Sequence, residues 1–308
     1  MLFKKIYIII LITFLFYNFT NSQEIKIISK VDDEIITNID IENEKKYLLL
    51  LNENLNKLSK KEVFELAKNS LIREKIKKRE INRLFLKRNN DVENKLIKNF
   101  YNRLGFNKED EFIIFLDKKK IKIENLKQKL IIETLWNQLI YNKYNKQVRI
   151  DKSILKKKII TYYNSKEKKY EYELSEIVIA NEKDIKSKKK EIIKYIKQFG
   201  FKIAANKYSK SDTSKYGGDI GWIKGTRLSN NIKNKISKIK IGEISEPIQV
   251  SNGYLILKIN DKKEIIEKFD LEKEIKQQVN YENNRQLNQF SLNHYKKLKK
   301  NVSIYESK

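Results

Sequence analysis

His294 is the only histidine in the chain, and cysteine is absent. Without thiols there can be no disulfide, no thiolate zinc site, no cysteine nucleophile and no lipid-modified cysteine. A single imidazole rules out any mechanism that needs two, and no G-x-S-x-G turn accompanies it to build a serine triad. His294 falls on a long helical pattern, where a surface or packing role is expected. Asp32-Asp33 and Glu109-Asp110-Glu111 stand at a turn and at a helix start, where carboxylates complement unpaired N–H groups, so no metal site is expected. Gly217-Gly218-Asp219-Ile220-Gly221-Trp222 lacks the G-x-G-x-x-G and G-x-x-x-x-G-K-[ST] spacings; it reads as a turn, and no cofactor is expected. Trp222 and the scattered tyrosines read as core, and the lysine run at 186–190 as a solvated helix face.

The elements that position these residues follow from composition. The 308 residues suit one large domain or two ordinary ones, and 40% are hydrophobic, enough for a packed core. Lys and Arg outnumber Asp and Glu by 67 to 40, a net charge of +27. The charge is diffuse and interleaved with acids, alongside one proline and eight glycines where average usage would give about 15 and 22. That pattern points to codon bias and not to a nucleic-acid surface, which would concentrate its lysines. No nucleic-acid partner is expected.

Residues 1–22 read as a secretory signal: Lys4 and Lys5, an apolar stretch, then a polar exit with Thr20 and Ser22 ahead of Gln23. The apolar stretch is shorter than the ~20 residues a spanning helix needs. Cleavage, a periplasmic location and no stable membrane insertion afterwards are therefore expected; an uncleaved anchor is the alternative.

Seven of the eight glycines and Pro247 lie between Gly200 and Gly253. The chain before them, with few punctuators, favours long helices. An α+β chain results, with a helical N-terminal domain at 23–170, a compact α+β domain at 171–262, and a C-terminal helix at 263–308 expected to pack on the helical domain. A hairpin is predicted around Asp32-Asp33. Helices are predicted from an N-cap at residues 37–40 toward 51, after the Ser59–Glu62 capping box, from 90 to Gly105 as its C′ residue, over 108–117 and 123–144, and from Asp151 to 163. The second domain reads as a strand at 172–180, helices at 182–199 and 202–208, and strands at 244–250 and 254–260 joined by Ser251-Asn252-Gly253. The last helix carries Leu271, Ile275, Val279, Leu287, Phe290 and Leu298 at helical spacing, and 302–305 could form a final strand.

Residues 171–262 resemble a parvulin-type peptidyl-prolyl isomerase domain. The resemblance rests on residues 174–179 as first strand, on the segment from Phe201 to Tyr208-Ser209, on the Gly217–Trp222 turn, and on Gly242-Glu243-Ile244-Ser245-Glu246-Pro247 and Gly253-Tyr254-Leu255 near the end. The flanks resemble SurA-type periplasmic chaperones, although those commonly carry two parvulin units and this chain shows one.

The resemblance implies a site. The family's first-strand histidine falls at Glu176 and its last-strand histidine at Leu255. The loop cysteine or aspartate falls at Ser211, or at Asp212 with a one-residue shift. The apolar proline pocket maps to Ile220, Leu228 and Ile232, without the usual aromatic. Both histidines are missing, and no residue is assigned as catalytic. Prolyl isomerisation needs no covalent nucleophile, so an apolar pocket alone could retain some rate. The resemblance implies a periplasmic folding factor that holds unfolded exported chains, outer-membrane proteins above all, with a degenerate isomerase site; the alternative is a working prolyl isomerase.

Overall fold

A computed structural model describes residues 24–84, 90–165, 168–181, 184–250, 253–265 and 269–307. The expected signal at 1–22 lies outside the described residues, as do Ser251 and Asn252 of the expected turn.

Strands β1 (Ile27–Val31) and β2 (Glu34–Thr37) form the hairpin, with Asp32 in the left-handed region at φ 50°. Helix α1 (Asn38–Leu51) starts at a reciprocal cap: Thr37 accepts from the Asp40 N–H, and the Asp40 carboxylate accepts from the Thr37 N–H. Ser59 and Glu62 repeat the device at α2 (Lys60–Arg83). Helix α3 (Asn90–Arg103) ends where the Gly105 N–H donates to the Asn102 carbonyl and the Phe106 N–H to the Tyr101 carbonyl. With Gly105 at φ 89°, this satisfies two orphan carbonyls in a left-handed stop. Helices α4 (Glu109–Lys118), α5 (Ile123–Tyr144) and α6 (Lys152–Asn164) complete the first part.

The second part is an antiparallel sheet ordered β4-β3-β6-β5: β3 (Tyr170–Ala180), β4 (Asp219–Lys224), β5 (Ile248–Val250) and β6 (Gly253–Glu264). Helices α7 (Ile185–Phe199) and α8 (Phe201–Tyr208) cover one face; α9 (Asn230–Ile236) lies toward the other. The strand expected at 244–250 is shorter. Pro247 has no N–H to donate, and Ser245 replaces the ladder: its hydroxyl accepts from the Leu257 N–H at 3.0 Å while its N–H donates to the Leu257 carbonyl at 2.7 Å.

Helix α10 (Leu271–Lys300) and strand β7 (Ile304–Glu306) close the chain, and β7 pairs with β1. In the C-terminal half of α10, Leu287, Phe290 and Leu298 pack on the Trp136 cluster of α5. The N-terminal half differs from the apolar stripe read in the sequence: Glu274 and Gln278 are buried, and Leu271, Ile275 and Val279 only half-buried. One buried cluster runs from Val31, Tyr47 and Ile76 of the helical part into Ile177, Phe201 and Ile256 of the sheet domain. The two parts therefore share a core.

Candidate isomerase face and interdomain cavity

Glu176 and Leu255 come together on one sheet face. Antiparallel pairing sets Glu176 opposite Leu257 and Val178 opposite Leu255, and alternation turns all four side chains to the same side. Ser211, N-cap of the 3₁₀ turn Asp212–Tyr216, donates its hydroxyl to Glu176 Oε1 at 2.8 Å. Thr213 donates to the same oxygen at 2.9 Å. Asp212 points away, 3.3 Å from Lys77 Nζ on α2, so the loop position beside Glu176 is Ser211. Burial pushes the Glu176 carboxyl up against the opposing pull of the two hydroxyls.

The turn that presents Ser211 depends on Gly218. Its carbonyl accepts from the Glu176 N–H at 2.7 Å. A Cβ there would stand 2.3 Å from the Glu176 carbonyl oxygen, and φ is 81°.

The apolar positions also converge. Ile220 comes from β4, Leu228 follows the 3₁₀ turn Gly225–Arg227, and Ile232 lies on α9. Leu228 is 4% exposed and Leu255 9%, in one cluster against which Ile220 and Ile232 pack half-buried. The same cluster receives Tyr281 of α10. The Arg227 guanidinium lies 5.8 Å from the Tyr281 ring centroid and donates to Gln277 at 3.0 Å, and Lys224 reaches Glu274 at 2.5 Å. Burial, then the charge of Glu176, raises the Tyr281 phenol.

Sequence reasoning missed Thr213 and Tyr281. Thr213 was visible as a second hydroxyl two residues beyond Ser211. Tyr281 was visible as the end of the 274, 277/278, 281 face, which is polar and so gave no hydrophobic signal.

His294 is buried, 2.9 Å from the Tyr144 hydroxyl and 5.6 Å ring to ring from Trp136, in a packing role. Trp222 is half-buried beneath Lys263 Nζ, 4.3 Å away, and does not enter the core. Among the described residues no group of acidic and imidazole side chains could hold a metal ion.

Between the two parts lies a cavity of about 570 Å³, bounded by α1, α2, α8 and α10. Leu48, Leu55 and Leu66 line one side, and Leu292 and Tyr295 the other. A buried ionic joint stands beside it. Glu133 of α5 accepts from Lys77 of α2 at 2.7 Å and from Lys215 of the 3₁₀ turn at 2.6 Å.

The four-stranded antiparallel sheet, glycine turn, loop hydroxyl and apolar floor fit the parvulin-type domain that the sequence resembles, here joined to a helical frame. Residues 173–261 match the rotamase family, the PPIC-type PPIASE domain. The chain is 24% identical over 165 residues to the chaperone SurA of Pseudomonas putida, covering 50% of this chain and 38% of that one. It is 31% identical over 113 residues to the foldase protein PrsA of Geobacillus kaustophilus, covering 36% and 38%. A solved structure of the SurA-like chaperones of Campylobacter jejuni aligns at 18% identity and a TM-score of 0.38, over 92% of this chain and 99% of that one. Residues 173–261 are thus a PpiC-type parvulin domain, and the chain that carries it is similar to SurA chaperones and PrsA foldases. It spans about two-fifths of the length of these two curated relatives.

Proposed function

We propose that this protein is a periplasmic holdase: it binds unfolded exported polypeptides, outer-membrane proteins among them, in the interdomain cavity, and its parvulin face is degenerate as an isomerase. The observation that carries this reading is the contrast between two places. On the isomerase face, Leu228 and Leu255 are almost sealed, Tyr281 packs over their cluster, and neither family histidine is present. Between the domains a cavity stands open, with half-buried Leu66, Leu292 and Tyr295 on its walls above a buried floor of Leu48 and Leu55. Unfolded chains can be held in such a groove without energy input.

Export through the segment at 1–22 and release into the periplasm belong to this reading. One relative is named a periplasmic chaperone, PpiD of Haemophilus ducreyi. Among the described residues no helix is long and apolar enough to cross a membrane.

A second reading, residual prolyl isomerisation, draws on Glu176. With its carboxyl pushed up and two hydroxyls on one oxygen, the protonated form could donate a hydrogen bond to an imide in a desolvated pocket. The barrier to be lowered is ~18–20 kcal/mol. Two assays on the same preparation separate the readings: light scattering of an unfolded barrel protein, and cis-to-trans conversion of a proline peptide. Suppressed scattering with negligible conversion supports the holdase; rapid conversion without suppression overturns it.

A further inference from the structure

The interdomain cavity is lined by cations from α2, the sheet domain and α10. Arg73, Lys207, Lys210 and Lys215 contribute from α2 and the sheet domain, and Lys296, Lys299 and Lys300 from α10; no carboxylate among the described residues lines it. Lysine excess in the composition does not account for this. A second cavity, of about 370 Å³, between α1, α2 and α5 mixes its lysines with Asp40, Glu44 and Glu74. In the larger cavity Lys215 and Lys207 already reach Glu133 and Glu62, at 2.6 and 3.3 Å. Lys296, Lys299 and Lys300 are exposed and form no ion pair among the described residues. Leu292, Tyr295, Lys296 and Lys299 follow the 0, 3, 4, 7 spacing of one helix face, so α10 presents apolar and cationic groups to the same space.

We infer that this cavity selects acidic segments: its occupant is an extended stretch of unfolded polypeptide in which apolar side chains alternate with Asp or Glu. This rests on the holdase reading and adds a charge preference to it. Apolar side chains pack between Leu66 and the Leu292 and Tyr295 face of α10, while the intervening carboxylates meet Lys296, Lys299 and Lys300. A concave site lined by one sign of charge focuses its field and raises the local concentration of the opposite sign. The volume falls within the ~300–1,000 Å³ of ordinary ligand sites, enough for a few residues of a chain.

Fluorescence anisotropy on the full chain tests this, using labelled heptapeptides with the same apolar residues and with Glu, Gln or Lys at the alternating positions. The Glu peptide is expected to bind about tenfold more tightly than the Gln peptide, with the advantage lost between about 50 and about 300 mM salt. Joint Lys296→Glu and Lys299→Glu substitution, at exposed positions that leave the fold intact, should reverse the preference. Equal affinity for all three peptides would overturn the charge selection and leave the holdase intact. No peptide binding by a preparation that still suppresses aggregation would place the client elsewhere and overturn the inference. Failure of both assays would overturn the holdase reading itself. Dodecanoate binding more tightly than the Glu peptide would mark a lipid site instead.

Discussion

Replacing Glu133 by Gln keeps the side-chain shape and removes the carboxylate that pairs with both Lys77 and Lys215. Lys77 is 1% exposed and would keep only Asp212, 3.3 Å away. Lys215, whose ammonium the Glu133 charge holds above its ordinary range against burial, would lose its 2.6 Å partner. Removing one member of a buried pair costs about 3–5 kcal/mol, because the other charge remains desolvated. At roughly 2–4 °C per kcal/mol for a chain of this size, the melting temperature should fall by about 6–20 °C. The two tryptophans report separately, Trp136 on α5 and Trp222 on β4, so single-tryptophan variants follow each part in urea. Both midpoints should drop together, since the joint and the buried cluster span both parts. The two lysines hold the Glu133 carboxyl well below the usual carboxylate range. Its contribution is therefore complete above the unfolded value and is lost as pH falls through the folded one, so the gap between parent and variant should narrow only below about pH 4.5. A loss under about 1 kcal/mol, or a drop confined to one tryptophan, would show that Glu133 does not join the two parts.

Three further outcomes are expected. Glu176, with its folded value raised, makes stability fall as pH rises from the unfolded value through the folded one; Glu176→Gln should remove that slope, so melting temperatures of parent and variant should coincide in acid, with the variant higher in mild alkali. Gly218→Ala should cost at least about 1–2 kcal/mol for the left-handed backbone, before any shift that relieves the 2.3 Å approach to the Glu176 carbonyl, and thermal melting checks it. A chain ending at Lys262 loses α10 and β7, exposing the Trp136 cluster and the β1 edge; it should bind a hydrophobic dye and melt broadly at a lower temperature, and an unchanged cooperative transition would show that α10 contributes nothing.

Local devices were legible wherever a short stretch decides the outcome. Ser59 with Glu62, Gly105 as a helix stop, and the apolar period over Ile123–Tyr144 each fix an element from a few neighbouring residues. The Ile244–Val250 strand came out short because the sequence shows Pro247 but not that Ser245 would take over the ladder bonds. Convergence of Glu176 with Ser211, and of Ile220, Leu228 and Ile232, was readable through the family resemblance. The convergence of Thr213 and Tyr281 on the same site was not, and neither was the Glu133 joint. These last depend on which helix lies against which sheet face, and a lysine-rich sequence gives no signal of which lysine will be buried beside an acid. The same holds for the inward polar face of α10, where Glu274 and Gln278 are buried through Lys224 and the sheet domain, and periodicity of apolar residues points the wrong way.

On the proposed reading, holding clients and rotating prolyl bonds reside in different places, the first retained and the second lost. Leu228→Asp puts a carboxylate into the sealed isomerase face, whereas Leu66→Asp puts one into the interdomain cavity. The decisive measurement is aggregation suppression of an unfolded outer-membrane barrel by the parent and by each variant, with far-UV circular dichroism confirming that all three are folded. Leu228→Asp should lower protection less than twofold, about 0.4 kcal/mol, while Leu66→Asp should abolish most of it. Full loss of protection in a folded Leu228→Asp protein, with Leu66→Asp unaffected, would contradict the account.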